Sequence, residues 1–232
     1  SPYFAASTGS TVLFSGSFQN TASIGNLYRT DGTAGGTQVV TTIPNAVSSP
    51  IVLTAVGSNV FFVANTSPGH GRELWISDGT TGGTLEVKDI RSGLASSSPG
   101  QLTAVGSTLY FTAYDGTNGT ELWKSDGTES GTTMVQNINP GSASSSPSDL
   151  VAIGSTLYFF ASEAATGREL WQSDGTPGGP VPVLALAPRA GVANLINRGY
   201  EQRQDLVTEI IEEMPLDERA IASAAGPIGQ ST

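Results

Sequence analysis

The sequence predicts an all-β protein made of four repeats, each a small antiparallel sheet. Three observations carry this. The octapeptide ELWISDGT at 73–80 returns as ELWKSDGT at 121–128 and ELWQSDGT at 169–176. Trp75, Trp123 and Trp171 are spaced 48 residues apart, and Tyr28 stands 47 before Trp75 in the worn copy NLYRTDGT. A second marker keeps the same phase: Ser-Pro begins at 1, 49, 98 and 146, with a glycine eight residues after each serine, at Gly9, Gly57, Gly106 and Gly154. A fixed period of this size marks a repeat architecture in which each copy is one supersecondary unit.

Each unit reads as four short strands. In the third, LTAV (102–105) passes through a Gly-Ser turn into TLYFTA (108–113), where Leu109 and Phe111 share one face and Tyr110 takes the other. The loop YDGTNG leads to the third strand, TELWKS (120–125). DGTESGT (126–132) is a tight hairpin connection and TMVQNI (133–138) the fourth strand. In each DGT the Asp is expected to accept from backbone N–H groups of its own turn, and the Gly permits positive φ. The Trp or Tyr is the large apolar body that fills the space between neighbouring sheets. Four antiparallel strands per repeat of this length is the arithmetic of a propeller blade. A β-helix has shorter rungs, a helical solenoid needs a 3.6-residue period, and a sandwich does not repeat its sequence. The expected fold is therefore a β-propeller of four four-stranded blades of about 48 residues, at about 1–48, 49–97, 98–145 and 146–188.

The octapeptide also carries a family resemblance. Residues 1–188 resemble the ELWxxDGT repeat proteins, a bacterial group of tandem repeats. That resemblance implies propeller-like repeats in exported or surface-associated proteins, and it implies no catalytic residue. Two departures stand out. The first repeat has Asn26 and Tyr28 where the others have Glu and Trp, and arrays of this type often run beyond four copies. The SDGT turn is similar to the Asp-box hairpin of sialidase propellers, an analogy of turns that assigns no activity.

From about residue 189 the repeat disappears. The last strand of repeat four, PVPVLALAP (180–188), has Leu184 and Ala185 where repeat three has Gln136 and Asn137. An outer strand apolar on both faces calls for a cover. In RQDLVTEIIEEM the residues Leu206, Val207, Ile210, Ile211 and Met214 form one helical stripe, ended by Pro215, and 216–226 reads as a second short helix. The expectation is a short α-helical C-terminal tail, 189–232, with Leu184, Leu186 and that stripe as a protein-docking surface. Each repeat starts on a first strand and ends on a fourth, so no strand is left to exchange at a ring seam.

Composition narrows the function. A net charge of −10 repels phosphate backbones and anionic lipid, and no apolar run is long enough to span a membrane. There are no cysteines, so thiolate metal sites, disulfides and Cys nucleophiles are excluded. The sequence opens on Ser-Pro and reads as a processed form or a fragment. No nucleophile–base pairing and no phosphate loop is present, and no cofactor or metal is expected. The lone His70 is expected to be a solvated loop residue. Glu73, Glu121 and Glu169 open the third strands beside Arg72 and Arg168, and surface salt bridges are expected there. Asp31, Asp78, Asp126 and Asp174 are expected to be turn residues on separate blades.

Any ligand is expected on the face made by the second-to-third strand loops, which differ between copies: SFQNTASIG, ANTSPGHG, AYDGTNG and ASEAATG. His70, Arg72, Asp115, Asn118, Glu163 and Arg168 are the candidates there. The leading expectation is a non-catalytic scaffold outside the cytoplasm that docks other protein chains through its last strand and tail. A glycan-binding lectin-like propeller is the alternative, and a sialidase- or glycosidase-like hydrolase is third. The hydrolase would need two carboxylates at glycosidase spacing and an arginine cluster, from a chain with only 10 Lys and Arg.

Overall fold

The computed structural model describes residues 2–16, 25–48, 50–176 and 179–183. Among the described residues sixteen strands form four separate four-stranded antiparallel sheets, each from one stretch of chain. Blade one holds β1 (Pro2–Thr8), β2 (Thr11–Gly16), β3 (Asn26–Thr30) and β4 (Gln38–Thr42). Blade two holds β5 (Ile51–Val56), β6 (Asn59–Thr66), β7 (Gly71–Ser77) and β8 (Leu85–Lys88). Blade three holds β9 (Gly100–Val105), β10 (Thr108–Tyr114), β11 (Thr120–Ser125) and β12 (Thr133–Gln136). Blade four holds β13 (Ser148–Ile153), β14 (Thr156–Glu163), β15 (Gly167–Ser173) and β16 (Val181–Pro182). In each sheet the strands lie in chain order, so none of the described strands is exchanged between blades. The apolar last strand expected over 180–188 is described only as the short β16, and Leu184, Leu186, Leu206, Val207, Ile210, Ile211 and Met214, with the whole expected tail, lie outside the described residues.

The register repeats as faithfully as the sequence. Phe14 pairs with Tyr28, Phe62 with Trp75, Phe111 with Trp123 and Phe159 with Trp171. Strand alternation then gives each blade two apolar faces. On blade two, Val60, Phe62, Ala64 and Trp75 pack against Leu13, Leu27, Val40 and Ile43 of blade one. The other face, with Phe61, Leu74, Ile76, Val87 and Ile90, packs against Leu109, Phe111 and Trp123 of blade three. Tyr110, Leu122 and Ile138 of blade three in turn meet Leu157, Phe159 and Trp171 of blade four. We call the face toward the preceding blade leading and the other trailing.

The innermost strands pack in sequence, β1 on β5, β5 on β9 and β9 on β13. The described residues of the four blades thus share three seams. Among the described residues no apolar cluster and no comparable strand packing joins blade four back to blade one.

Candidate functional site

The octapeptide's glutamate is not the surface residue expected from its position beside Arg72. Glu73 and Glu121 are fully buried, and neither forms a salt bridge among the described residues. Glu73 Oε1 accepts from the Ser97 backbone N–H at 2.6 Å; its Oε2 accepts from Ile90 N–H at 3.2 Å and from the Ser97 hydroxyl. Glu121 repeats the pattern, with Ser145 N–H at 2.7 Å, Ile138 N–H at 3.1 Å and Ser145 Oγ at 2.5 Å. The isoleucine lies just past the outermost strand and the serine just before the next innermost strand. One carboxyl group therefore holds both ends of the linker that carries the chain from blade to blade. Burial pushes Glu73 up to about 7, against the downward pull of its three donors, and raises Glu121 for the same reason.

The first repeat shows the alternative. Asn26 occupies the glutamate's place, and Ile43 N–H turns to the Gly25 carbonyl at 3.0 Å. Asn26 itself accepts from Thr42 Oγ1 at 2.6 Å and donates to the Tyr28 hydroxyl at 3.0 Å. Glu169 on blade four is half-buried, and the positions that would match Ile138 and Ser145 lie outside the described residues. The sequence held a signal for this clamp, since Glu and Ser stand 24 residues apart in both clamped copies.

The SDGT aspartates are turn residues on separate blades. Asp31, Asp78, Asp126 and Asp174 each accept the N–H of the Thr two residues on, at 2.8–2.9 Å. All four carboxyls are held below the usual range by hydrogen bonds from that threonine.

The six rim candidates fall into three blade-local groups. His70 Nδ1 meets Glu86 Oε1 at 2.7 Å, with Asp89 Oδ2 at 3.9 Å from Nε2, and half of its side chain is exposed, so this loop histidine is both solvated and hydrogen-bonded. The Glu86 hydrogen bond raises its pKa. Arg72 enters through its backbone, its N–H on Ser96 Oγ at 2.9 Å and its carbonyl on Ser98 N–H at 3.1 Å. On blade three Asp115 accepts from Thr117 N–H and Asn118 N–H, both at 2.8 Å, and from Asn118 Nδ2 at 2.6 Å; Asn118 Oδ1 accepts from Asn137 at 3.0 Å. On blade four Glu163 closes the β14–β15 turn opposite Gly167. Arg168 donates to Ser148 Oγ, stands 3.8 Å from Asp149 and lies over the Phe160 ring at 5.6 Å. No hydrogen bond or ion pair among the described residues joins one group to another.

Sequence reasoning missed one neighbour here. Arg91, on the linker between blades two and three, covers the Tyr114 ring at 4.7 Å, next to Asp115. Two shallow hollows, about 460 Å³ beside Arg29, Asp31 and Gln38 and about 380 Å³ beside Tyr110, Ser155 and Asp174, open at the hairpin end, away from all six candidates. Among the described residues no three His, Cys, Asp or Glu side chains are placed to hold a metal ion, and no helix is long and apolar enough to cross a membrane.

No family model matches the sequence, and no curated protein matches it. Its likeness is to solved structures. An acylaminoacyl peptidase from Pyrococcus horikoshii superposes with a TM-score of 0.50 at 12% identity, over 85% of this chain and 29% of that one. A puromycin-hydrolysing peptidase from Mycobacterium tuberculosis superposes with a TM-score of 0.50 at 15% identity, over 82% and 31%. The β-propeller domain of the trilobed protease from Pyrococcus furiosus gives 0.48 at 13%, over 77% and 53%. The chain therefore spans less than a third of each of these two peptidases. At these identities the likeness concerns the fold alone.

Proposed function

We propose that this chain is a non-catalytic β-propeller scaffold that acts outside the cytoplasm by docking other protein chains. The observation that carries this is what the repeated residues do. The motif's Glu holds a linker, its Asp closes a hairpin, and its Trp fills a seam. Each is engaged in building the array, and the variable loops are left as separate groups on one rim. The resemblance to exported ELWxxDGT proteins supports the location. The rim groups also favour a second reading, glycan binding, through the Asp115–Asn118 turn beside Tyr114. A glycan array combined with a panel of chromogenic ester, peptide and glycoside substrates separates the readings. The scaffold shows neither binding nor turnover. Glycan binding lost in Asp115→Ala would establish the lectin, and turnover of any substrate would overturn both.

A further inference from the structure

We infer that the β6–β7 loop of blade two is a proton-operated latch on the rim: a charged His70 ties the loop to the outermost strand and to the following linker, and the tie is lost when the imidazole gives up its proton. The latch is the same whatever the chain docks, so it stands apart from the scaffold reading. His70 ends the loop that joins β6 to β7. Its Nδ1 lies 2.7 Å from Glu86 Oε1 on β8, and its Nε2 lies 3.9 Å from Asp89 Oδ2 on the linker to blade three. Both nitrogens of an imidazole carry a proton only in the charged form. A neutral ring leaves one nitrogen lone pair facing a carboxylate.

Blade three makes the same fastening without a proton. Asn118 stands 48 residues after His70, and Asn137 stands 48 after Asp89. Asn137 Nδ2 donates to Asn118 Oδ1 at 3.0 Å, joining loop to linker as His70 and Asp89 do. The counterpart of Glu86 is Met134, since Glu86 pairs with Trp75 and Met134 with Trp123. One bridge is thus built in two chemistries, amide on amide in blade three and imidazolium on carboxylates in blade two. Only the second has a proton to lose near neutral pH.

The surroundings set the direction. The charges acting on the ring are Glu86 from β8, Asp89 from the linker and Glu73 from β7, and they raise its pKa, the Glu86 hydrogen bond most of all. Two cations of the same corner are engaged with blade three: Lys88 Nζ donates to the Thr132 carbonyl at 2.9 Å, and Arg91 lies over the Tyr114 ring. Arg72 joins the linker through its backbone N–H. Glu73 gives up its own proton at about 7. Rising pH therefore removes the charge of His70 and adds that of Glu73. These four side chains pass from one net negative charge, His70 against Glu86 and Asp89, to three. The tie is complete below the pKa of His70 and is lost as pH rises through it. The start of the loop keeps fastenings that no proton controls, Ser67 N–H on the Asn45 carbonyl at 2.8 Å and Asn45 Nδ2 on the Pro68 carbonyl at 3.2 Å. Deprotonation frees the His70 end.

His70 is the only histidine, so its ring gives one Cε1–H resonance in the full chain. Followed by NMR, its titration midpoint is expected above the ordinary 6.5 and is expected to fall in Glu86→Gln. A midpoint at the ordinary value, or one that Glu86→Gln leaves in place, would overturn the latch. Amide exchange, corrected at each pH for the intrinsic rate, reads the loop itself. The His70 N–H donates to Thr66 Oγ1 at 3.2 Å, and its counterpart Asn118 N–H donates to Asp115 Oδ1 at 2.8 Å. Protection at residue 70 is expected to fall about two- to fivefold relative to residue 118 as pH rises through the midpoint, the scale of an exposed ion pair. A chain carrying both His70→Asn and Asp89→Asn has in blade two the amide pair that blade three uses, and there the two positions should move together. Glu86→Gln, expected to show a smaller fall than the parent, repeats the comparison with the histidine in place. An equal change at both positions in the parent, or a fall at residue 70 that neither variant reduces, would place the response outside the His70 bridge and overturn the inference.

Discussion

Glu73 shows how a single side chain can hold a repeat together. Its two oxygens receive three donors from the linker, two of them backbone N–H groups that have no strand to pair with. Glu73→Gln turns an amide N–H₂ toward one of those donors, and a buried unpaired group costs about 1–3 kcal/mol. Urea unfolding is expected to show that loss for Glu73→Gln and Glu121→Gln. Glu169→Gln, at the half-buried fourth position, should stay within about 0.5 kcal/mol of the parent. The same carboxyl predicts a pH dependence. Its folded pKa of about 7 lies above the ordinary 4.5. The folded chain therefore keeps a proton that the unfolded chain releases, so this group's contribution is fullest below 4.5 and declines as pH rises to about 7. Comparing parent and Glu73→Gln stability across that window should show a steeper decline in the parent, since Glu121 is raised for the same reason and is present in both. An equal slope in both would place the proton elsewhere.

The hairpin is the element in which sequence and structure correspond most closely. In blade three Asp126 Oδ1 accepts from Thr128 N–H at 2.8 Å and Thr128 Oγ1 at 2.7 Å, while Gly131 N–H donates to Thr128 Oγ1 at 2.9 Å. The chain turns so tightly around the carboxylate that the last glycine has no room for a Cβ. In blade two a Cβ on Gly83 would lie 2.1 Å from Asp78 Oδ1, whereas one on Gly82 would meet nothing within 4 Å. Gly83→Ala is expected to destabilise by about 1–3 kcal/mol. Gly82→Ala is expected to be neutral or to gain up to about 1 kcal/mol by restricting the unfolded chain. Thermal unfolding of the two adjacent variants tests this directly; equal losses would contradict the geometry. This element was legible because its determinants are local: the Asp, the two glycines and the alternation of apolar residues all lie within one strand pair. The glutamate clamp was read wrongly because its donors lie 17 and 24 residues downstream, across a linker. Neighbouring Arg72 suggested a surface pair that does not form. The contacts of Arg29, Ile76 and Lys124 were invisible for a related reason. The three residues share a position but not a chemistry, and only packing shows that each reaches the next hairpin. The rim candidates were legible as loop residues, but their division into three separate groups was not.

At the scale of the whole chain, blades coupled only to their neighbours should behave as a short linear array, with stability set by blades and seams together. Blades two and three contribute both faces to seams, and blades one and four contribute one each among the described residues. Trp123 stands in the middle seam, so Trp123→Ala should cost about 3–5 kcal/mol and divide the array into two pairs. Hydrogen exchange then reports the order of the parent array, since local opening follows local packing. Amides of β6 and β10, around Phe62 and Phe111, are expected to exchange most slowly. Those of β2 and β14, around Leu13 and Phe159, should exchange faster, because one seam fewer must open to release them. Protection that is uniform across the four blades would mean that the chain closes its own ring, because no blade would then stand one seam short of its neighbours.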